Sequence, residues 1–391
     1  MVTLISGFYL VHLAIRLTLA RRYVRAQKGL TIGRSLSDHL AKKITIAQPI
    51  LSGDPLLEPT LRRIADDLNP KIQFVWLVDD CDVEGQDICE KLAGSRPQIA
   101  IQICPRCPAN FNPKAFKLQI ALQMSTRPYF VVVDDDTNIS EDSVISAIES
   151  LDQFDLYTGL PVYRKGKNWA SNLLTHFVNN NAILTYLAPL NFFKPITING
   201  MFYVVERQKF VDLGGYQSII QKLCDDLAVC EMTTKAGWRI KQGVSIQEVS
   251  SSCEQLSDYW NMMHRWMIFS ILLLGRLPFW KRCFVIGLLG VSGWVLNLVL
   301  IANLFLLFLL PFSTVILTTS FLLIRFAILS FTHRLLKPAR IPFQFWASLI
   351  SETLVPIHFT FAFFFGQIVW RGKRIRIGRD LTFGIQTEAR P

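Results

Sequence analysis

Apolar positions fall into three patterns along this chain. From Val2 to Ala20 they run almost unbroken, interrupted by His12 and Arg16 and followed by Arg21-Arg22. No small-residue cleavage site follows, so the segment reads as an uncleaved anchor with its basic end in the cytosol. From about Lys42 to Cys253, short apolar runs alternate with amphipathic stretches. Lys43–Ala47, Gln73–Val78, Ile99–Cys104 and Phe130–Val133 read as strands. Helices are expected between them: after Asp54 as cap with Pro55 beside it, over Glu84–Leu92, and over Pro113–Met124 behind Asn112 as cap. Strands separated by single helices imply an α/β fold with a mostly parallel central sheet. Further on, Asn168–Leu187 predicts a long helix, Thr197–Val205 a strand interrupted at Asn199-Gly200, and Leu213–Tyr216 a turn. A helix then begins at Cys224, and Lys235–Arg239 leads into a last strand.

The third pattern starts at Tyr259. Tyr259, Trp260, Met262, Met263, Trp266 and Met267 mix with His264-Arg265, as in a helix lying at a bilayer surface. Arg265-Trp266 also suits a packing pair between a helix and a domain. Cys283–Pro311 carries no charge and predicts a membrane span; Thr314–Phe331 predicts a second, with Arg325 inside it. Phe343–Trp370, with Glu352 and Pro356 near its middle, is too long for one straight span and too short for two. If the Arg21-Arg22 end is cytosolic, three further crossings would put the basic stretch Arg371–Arg379 outside, against the positive-inside rule. A re-entrant hairpin broken near Pro356 resolves that conflict. These patterns divide the chain into an anchor (1–22), an α/β domain (40–254), an interfacial helix (255–282), membrane helices (283–370) and a basic cytosolic tail (371–391).

Composition sharpens the picture at two points. The 391 residues carry a net charge of +11. The basic residues crowd the flanks of the apolar segments, at Arg21-Arg22, Lys281-Arg282, Arg334–Arg340 and Arg371–Arg379, and do not interleave with aromatics in the central region. That distribution fits contact with a lipid surface and gives no support to nucleic-acid binding. Among the eight cysteines, Cys104-Pro-Arg-Cys107 forms a C-x-x-C pair without partners at zinc spacing, which leaves a thiol pair at a strand end.

Candidate chemistry concentrates where strands end. Tyr129–Val133 runs straight into Asp134-Asp135-Asp136, at the sheet edge where ligands bind in open α/β folds. Alternate residues of an extended segment point the same way, so Asp134 and Asp136 project together. Two adjacent carboxylates repel unless a cation lies between them. Hard oxygen ligands suit Mg²⁺ or Mn²⁺, and those ions favour phosphate oxygens, so the segment suggests a metal-bridged nucleotide diphosphate. A polar turn after a strand is the other reading. Asp79-Asp80 ends an earlier strand. Asp225-Asp226 opens a helix, where the helix dipole alone would favour acids. No G-x-G-x-x-G and no Walker-type loop occurs.

In order, Asp79-Asp80, Asp134-x-Asp136, Asp225-Asp226 and His264-Arg265-Trp266 resemble the D…D-x-D…D…(Q/R)-x-x-R-W set of inverting glycosyltransferases of families 2 and 21. The chain is most similar to ceramide glucosyltransferases and their bacterial relatives, including hopanoid-associated enzymes. Pro49, Asp54-Pro55, Asn112-Pro-Lys114, Gly159-Leu-Pro161, Asn199-Gly-Met201, Gly237-Trp-Arg239 and Trp370–Arg374 also match. The resemblance implies a GT-A nucleotide-diphospho-sugar domain and transfer of a sugar, glucose foremost, from a UDP-sugar to a lipid hydroxyl such as that of ceramide, diacylglycerol or a hopanoid. It implies a multi-pass protein with its catalytic domain at the cytosolic face. Asp79 or Asp80 would seat the uracil, Asp134 would lie by the ribose or sugar, and Asp136, with Asp134, would hold Mg²⁺ or Mn²⁺. Pro49 and Gly200 would line the donor site. Lys114 would pair with a phosphate or be a plain surface lysine. Asp226 would be the base, with Asp225, His264, Arg265 and Trp266 toward acceptor and diphosphate. Met262 stands where the motif has Gln or Arg, and Asn179-Asn-Asn181 stands where eukaryotic ceramide enzymes carry a His, which implies a different acceptor choice. A processive polysaccharide synthase and a non-catalytic membrane scaffold are the alternatives.

Overall fold

The alternation of β-branched runs with amphipathic stretches produces the expected α/β order. A computed structural model describes residues 1–27, 33–250, 252–335, 343–370, 373–378 and 380–386. The chain opens with helix α1 (Val2–Ala26) and the short α2 (Asp38–Ala41). It continues as β1 (Ile44–Pro49), α3 (Leu57–Asp67), β2 (Gln73–Asp79), α4 (Val83–Ala93), β3 (Ile99–Cys104), α5 (Pro113–Met124) and β4 (Tyr129–Val133). Then come β5 (Thr137–Asn138), α6 (Glu141–Ser150), β6 (Leu156–Tyr163), α7 (Trp169–Tyr186), β7 (Phe202–Glu206), α8 (Arg207–Asp212), α9 (Asp225–Lys235) and β8 (Ile240–Val249). The last part comprises α10 (Leu256–Arg276), α11 (Phe279–Val285), a π-helical turn over Ile286–Gly290, α12 (Val291–Leu309), α13 (Pro311–Leu335), α14 (Phe345–Phe364) and strands β9 (Gln367–Trp370), β10 (Lys373–Ile377) and β11 (Phe383–Gln386).

Two compact units arise from this order. The α/β unit comprises 29–161, 194–252 and 367–391; the helical unit comprises 1–28, 162–193 and 253–366. In the α/β unit the sheet order is β3-β2-β1-β4-β7-β6-β8-β5. β1, β2, β3 and β4 pair in parallel, while β7 runs antiparallel to β4 and β6. Ile44, Ile46, Phe74, Trp76, Val78, Val131 and Val133 are fully buried and pack with Leu57, Leu61 and Ile64 of α3 and Val144 of α6. Leu57, Leu61 and Ile64 recur at the spacing that lines one helix face. The indole of the buried Trp76 donates to Gln48 Oε1 at 2.9 Å, which removes the cost of burying its N–H.

Several boundaries differ from the expectation for local reasons. Asp54 does not cap α3: its Oδ1 accepts from Leu56 N at 2.8 Å, and the N-cap position belongs to Leu56. The expected strand from Thr197 begins only at Phe202, because Asn199 Oδ1 accepts from Met201 N at 3.0 Å and turns the backbone there. Helix α7, expected in the 40–254 domain, belongs to the helical unit, where it packs against α14 and α10. Residues 371–391 do not form a plain tail. The alternation Arg374-Ile375-Arg376-Ile377 has the period of a strand, and β9, β10 and β11 form an antiparallel sheet with Ile368, Ile375 and Leu381 buried. Arg371, Gly372, Arg379 and residues 387–391 lie outside the described residues, as do Leu336–Arg340 of the basic cluster before α14.

Among the described residues four helices are long and apolar enough to cross a membrane: Val2–Ala26, Phe279–Leu309, Pro311–Leu335 and Phe345–Phe364. The hairpin expected at Pro356 is absent; α14 runs unbroken through that proline. Pro356 has no N–H to give to the carbonyl of Glu352. The neighbouring α12 packs closely at this point: Asn297 Nδ2 donates to the adjacent carbonyl, Thr353 O, at 3.0 Å, and a Cβ on Gly293 would sit 3.1 Å from Glu352 O. Arg325 is fully buried and pairs with Glu352 at 2.5 Å. Its Nε donates to Tyr9 Oη at 3.1 Å, and Tyr9 donates to Glu352 Oε1 at 2.8 Å. Arg325 is therefore held in a polar triad that ties α1, α13 and α14.

Connectivity also limits the crossings. Lys222 Nζ donates to Asp380 O at 2.7 Å, and Leu223 N donates to Leu381 O at 2.9 Å, so 222–223 and 380–381 lie on one side of any bilayer. The chain between them must cross an even number of times. An α12–α13 hairpin with no net crossing by α14 is one arrangement that satisfies this. Two outcomes are expected. An impermeant thiol reagent should label the exposed Cys81 and an Arg374→Cys variant from the same membrane face, and opposite-sided labelling would refute the even count. Glu352→Ala should lower thermal stability in detergent by about 3–5 kcal/mol through the uncompensated Arg325, with a smaller loss when both residues are made apolar.

Candidate active site

The parallel strands bring their acidic ends to one edge. The strand order reverses between β1 and β4, which opens a crevice beyond the carboxyl ends of the strands. Pro49 ends β1, Asp79 ends β2, and Asp134–Asp136 follow β4. Helix α5 supplies two lysines three residues apart, hence on one face. Lys117 is buried; its Nζ lies 2.9 Å from Asp79 Oδ2 and donates to Ile50 O at 2.8 Å. Lys114 Nζ lies 2.6 Å from Asp134 Oδ1 and 3.3 Å from Asp225 Oδ2, and it donates to Gly200 O at 3.0 Å. Neither the solvated-lysine reading nor a simple dipole role for Asp225 survives this geometry.

Local structure explains the convergence. Asn112 caps α5 through Oδ1, which accepts from Lys114 N at 2.9 Å and Ala115 N at 3.3 Å. Its Nδ2 donates to Lys222 O at 3.0 Å and Leu223 O at 2.9 Å, just ahead of α9. One buried amide thus fixes the start of the lysine helix against the start of the helix bearing Asp225 and Asp226. The same loop receives the C-terminal sheet through Leu381 O, a residue held at φ 70. Gly200 is required by close approach: a Cβ there would lie 3.1 Å from Asp226 Cβ and 3.6 Å from Lys114 Nζ. Asp134 N donates to Met201 O at 3.1 Å, which seats the aspartate run beside that glycine.

The cluster carries excess negative charge. Burial pushes Asp135 up to about 7, with Asp136 adding to the shift, while Asp135 Oδ2 accepts from Leu51 N at 2.8 Å. Asp136 rises to about 6 through burial and then the Asp134 charge, although Thr137 Oγ1 donates to its Oδ1 at 2.8 Å. Asp134 is raised by burial against the pull of Lys114. Asp226 is raised by burial and then by Asp225; its Oδ1 accepts from Leu227 N at 2.7 Å and from the Cys224 thiol at 2.9 Å. Lys114 is itself pushed up, because Asp134 and Asp225 together outweigh its burial. Among the described residues no group of three or more His, Cys, Asp and Glu is arranged to hold a metal. Two aspartates and their surplus charge nonetheless fit Mg²⁺ or Mn²⁺, ions that take few protein carboxylates and complete their shell with phosphate oxygens and water.

The sequence-predicted residues divide between the units. Asp79, Lys114, Asp134, Asp136, Gly200, Asp225 and Asp226 belong to the α/β unit, and contacts link Asp134, Lys114, Gly200 and the Asp225-Asp226 pair. Asp80 follows Asp79 with its side chain exposed. His264, Arg265 and Trp266 lie on α10 in the helical unit. There Trp266 stacks on Phe177 with ring centroids 6.0 Å apart and meets Tyr163 edge-on at 6.2 Å, and His264 meets Phe361 at 5.0 Å. Asn179 brackets the backbone of Tyr163 at 2.9 Å on both sides, and Asn180 joins Ser348 to His333, so both have packing roles. Sequence reasoning missed Lys117, Asp135 and Asp54. The spacing of Lys117 three residues after Lys114 was a usable signal. Asp54 was not legible from local pattern: its charge adds to the upward shift of Asp136, and it accepts from Ser252 N at 3.1 Å and Oγ at 3.0 Å, nearly two hundred residues away.

Comparison with known proteins adds to this geometry. The mannosyltransferase PcManGT from Pyrobaculum calidifontis, solved in complex with GDP-Man and Mn2+, superposes with a TM-score of 0.51 at 15% identity, covering 91% of this chain and 99% of that one. The likeness establishes a GT-A-like fold. The family model of glycosyl transferase family 21 matches residues 4–382, nearly the whole chain. With the acid clusters in family order and four long apolar helices, the chain belongs to glycosyl transferase family 21, the ceramide glucosyltransferase-like enzymes.

Proposed function

We propose that this glycosyltransferase moves a hexose, most simply glucose from UDP-glucose, to the hydroxyl of a membrane lipid such as ceramide, diacylglycerol or a hopanoid. The α/β unit would face the cytosol, because the basic ends of α1 and α13 then obey the positive-inside rule. The observation that carries the reading is the clamp of Lys114 on Asp134 and Asp225 beside Gly200, which draws the D-x-D edge and the Asp225-Asp226 pair together.

Roles follow from that placement. Asp79, held by Lys117, would accept from the uracil ring, with Asp80 and Pro49 beside it. Asp134 would lie by the ribose or sugar. Asp136, with Asp134, would hold a divalent cation, which when bound neutralises charge on the departing nucleoside diphosphate. Asp226 would take the proton from the acceptor hydroxyl as that oxygen attacks the anomeric carbon. Its Oδ1 is already engaged by Leu227 N and Cys224, so Oδ2 is the oxygen available for the proton. A single displacement inverts the anomeric configuration. Arg265 and Trp266, with Asp225 and His264, would meet the diphosphate and the acceptor, as the family resemblance implies.

Membranes containing the protein, incubated with radiolabelled UDP-glucose, should place label in an organic-extractable lipid. Label in insoluble polymer would identify a polysaccharide synthase, and transfer from GDP-mannose alone would overturn the donor assignment. Asp226→Asn should lower turnover by roughly 10²–10⁴-fold while nucleotide binding persists, because only the base is lost. Asp136→Ala should instead weaken Mn²⁺-dependent nucleotide binding in a fluorescence titration. The reverse pattern in the two variants would exchange the roles.

A further inference from the structure

Helix α1 carries a buried guanidinium with incomplete hydrogen bonding. Arg16 is 1% exposed. Its Nη1 donates to Ser292 Oγ at 2.7 Å, while Nε and Nη2 meet no acceptor among the described residues. Those two N–H groups form the side-on edge of the guanidinium, a parallel pair of donors that matches two oxygens of one phosphate or carboxylate. The second buried guanidinium, Arg325, differs: Tyr9, Ser348 and Glu352 all accept from it. Glu352 is the acidic partner of Arg325, and its oxygens are engaged by Tyr9 and Arg325. Among the described residues Arg16 makes no ion pair, inside a bundle of membrane-length helices, where an uncompensated charge is expensive and marks a site.

The surroundings of Arg16 are polar. One helical turn earlier, the half-buried His12 places Nε2 3.0 Å from Gly287 O and Nδ1 3.5 Å from Ser292 Oγ. Gly287 lies in the π-helical turn that precedes α12, a widened turn of the kind that recurs at functional sites. The seam between α1 and α12 is therefore polar within, lined by His12, Arg16, Ser292 and the Gly287 carbonyl. On the α1 side it is bordered by exposed apolar residues: Phe8, Val11 and Ile15 lie beside His12 on the helix surface, and the Phe8 ring stacks on His12 with centroids 6.0 Å apart. Such borders belong in acyl chains, not in water.

We propose that the α1–α12 seam binds the phosphate of an anionic membrane phospholipid, two of its oxygens accepting from Nε and Nη2 of Arg16, with His12 at the mouth. A lipid fits better than free phosphate because the donors lie behind an apolar, outward-facing border. The seam lies wholly in the helical unit and shares no residue with the candidate active site, so the bound lipid is a structural or activating one and not the sugar acceptor.

The test uses the purified full chain in neutral detergent, with native mass spectrometry of retained lipid and thermal shift as readouts. Phosphatidylglycerol should be retained at least about tenfold better than phosphatidylcholine, and Arg16→Gln should abolish that preference. Arg22→Gln, at the basic end of α1, should keep it. Arg16→Lys retains the charge without the side-on edge and should hold the lipid more weakly than the wild type. In lipid-free detergent Arg16→Gln should melt no lower than the wild type, since it removes an unsatisfied charge; a merely structural arginine would give a clear drop. Unchanged retention in Arg16→Gln would overturn the proposal, as would equal protection of the wild type by inorganic phosphate.

Discussion

The candidate active site depends on one ammonium group. Lys114 sits between Asp134, at the end of a strand, and Asp225, at the start of a helix some ninety residues later. Without a cation there, half-buried carboxylates from two parts of the chain would repel each other. With it, the aspartate run and the Asp225-Asp226 pair occupy one small region with Gly200 between them. The lysine is placed by an ordinary device, a capped helix start, but its cap is shared. Asn112 spends its acceptor on the helix and its donors on the loop before α9, so the local fold of α5 and the position of Asp226 are set by the same side chain.

A second electrostatic problem is solved differently in the helical unit. Arg325, Tyr9 and Glu352 form a closed set in which every strong donor and acceptor finds a partner. That closure lets a charged pair persist among apolar helices. Small residues make it possible: Gly293 admits α14 close to α12, and Asn297 reaches the backbone near Pro356. Arg16 is the exception in this layer, with one bond made and two donors without acceptors among the described residues. The contrast between two arginines in one bundle gives the seam between α1 and α12 its meaning.

The C-terminal sheet connects chain topology to the site. Strands that read as a basic tail instead complete the α/β unit, and Leu381 anchors them on the loop that precedes Asp225. This contact imposes an even number of membrane crossings after Ser252. It also removes the conflict between the positive-inside rule and a count of hydrophobic segments.

What the sequence by itself determined was everything governed by short-range periodicity and composition. Ile99–Cys104 and Pro113–Met124 match their expected bounds residue for residue, because β-branched alternation and an Asn-Pro start act within a few positions. The acidic strand ends, the family motifs and the long apolar helices were legible for the same reason. The tertiary structure alone decided which of those acids meet, since Lys114 to Asp225 and Asp54 to Ser252 are contacts between residues that no local pattern relates. It also decided that Pro356 stays inside a helix, and the groups packed against that stretch, Asn297 and Gly293, come from another helix. Charge in a sequence has a sign but no address; burial and neighbours supply the address, and so separate the satisfied Arg325 from the unsatisfied Arg16.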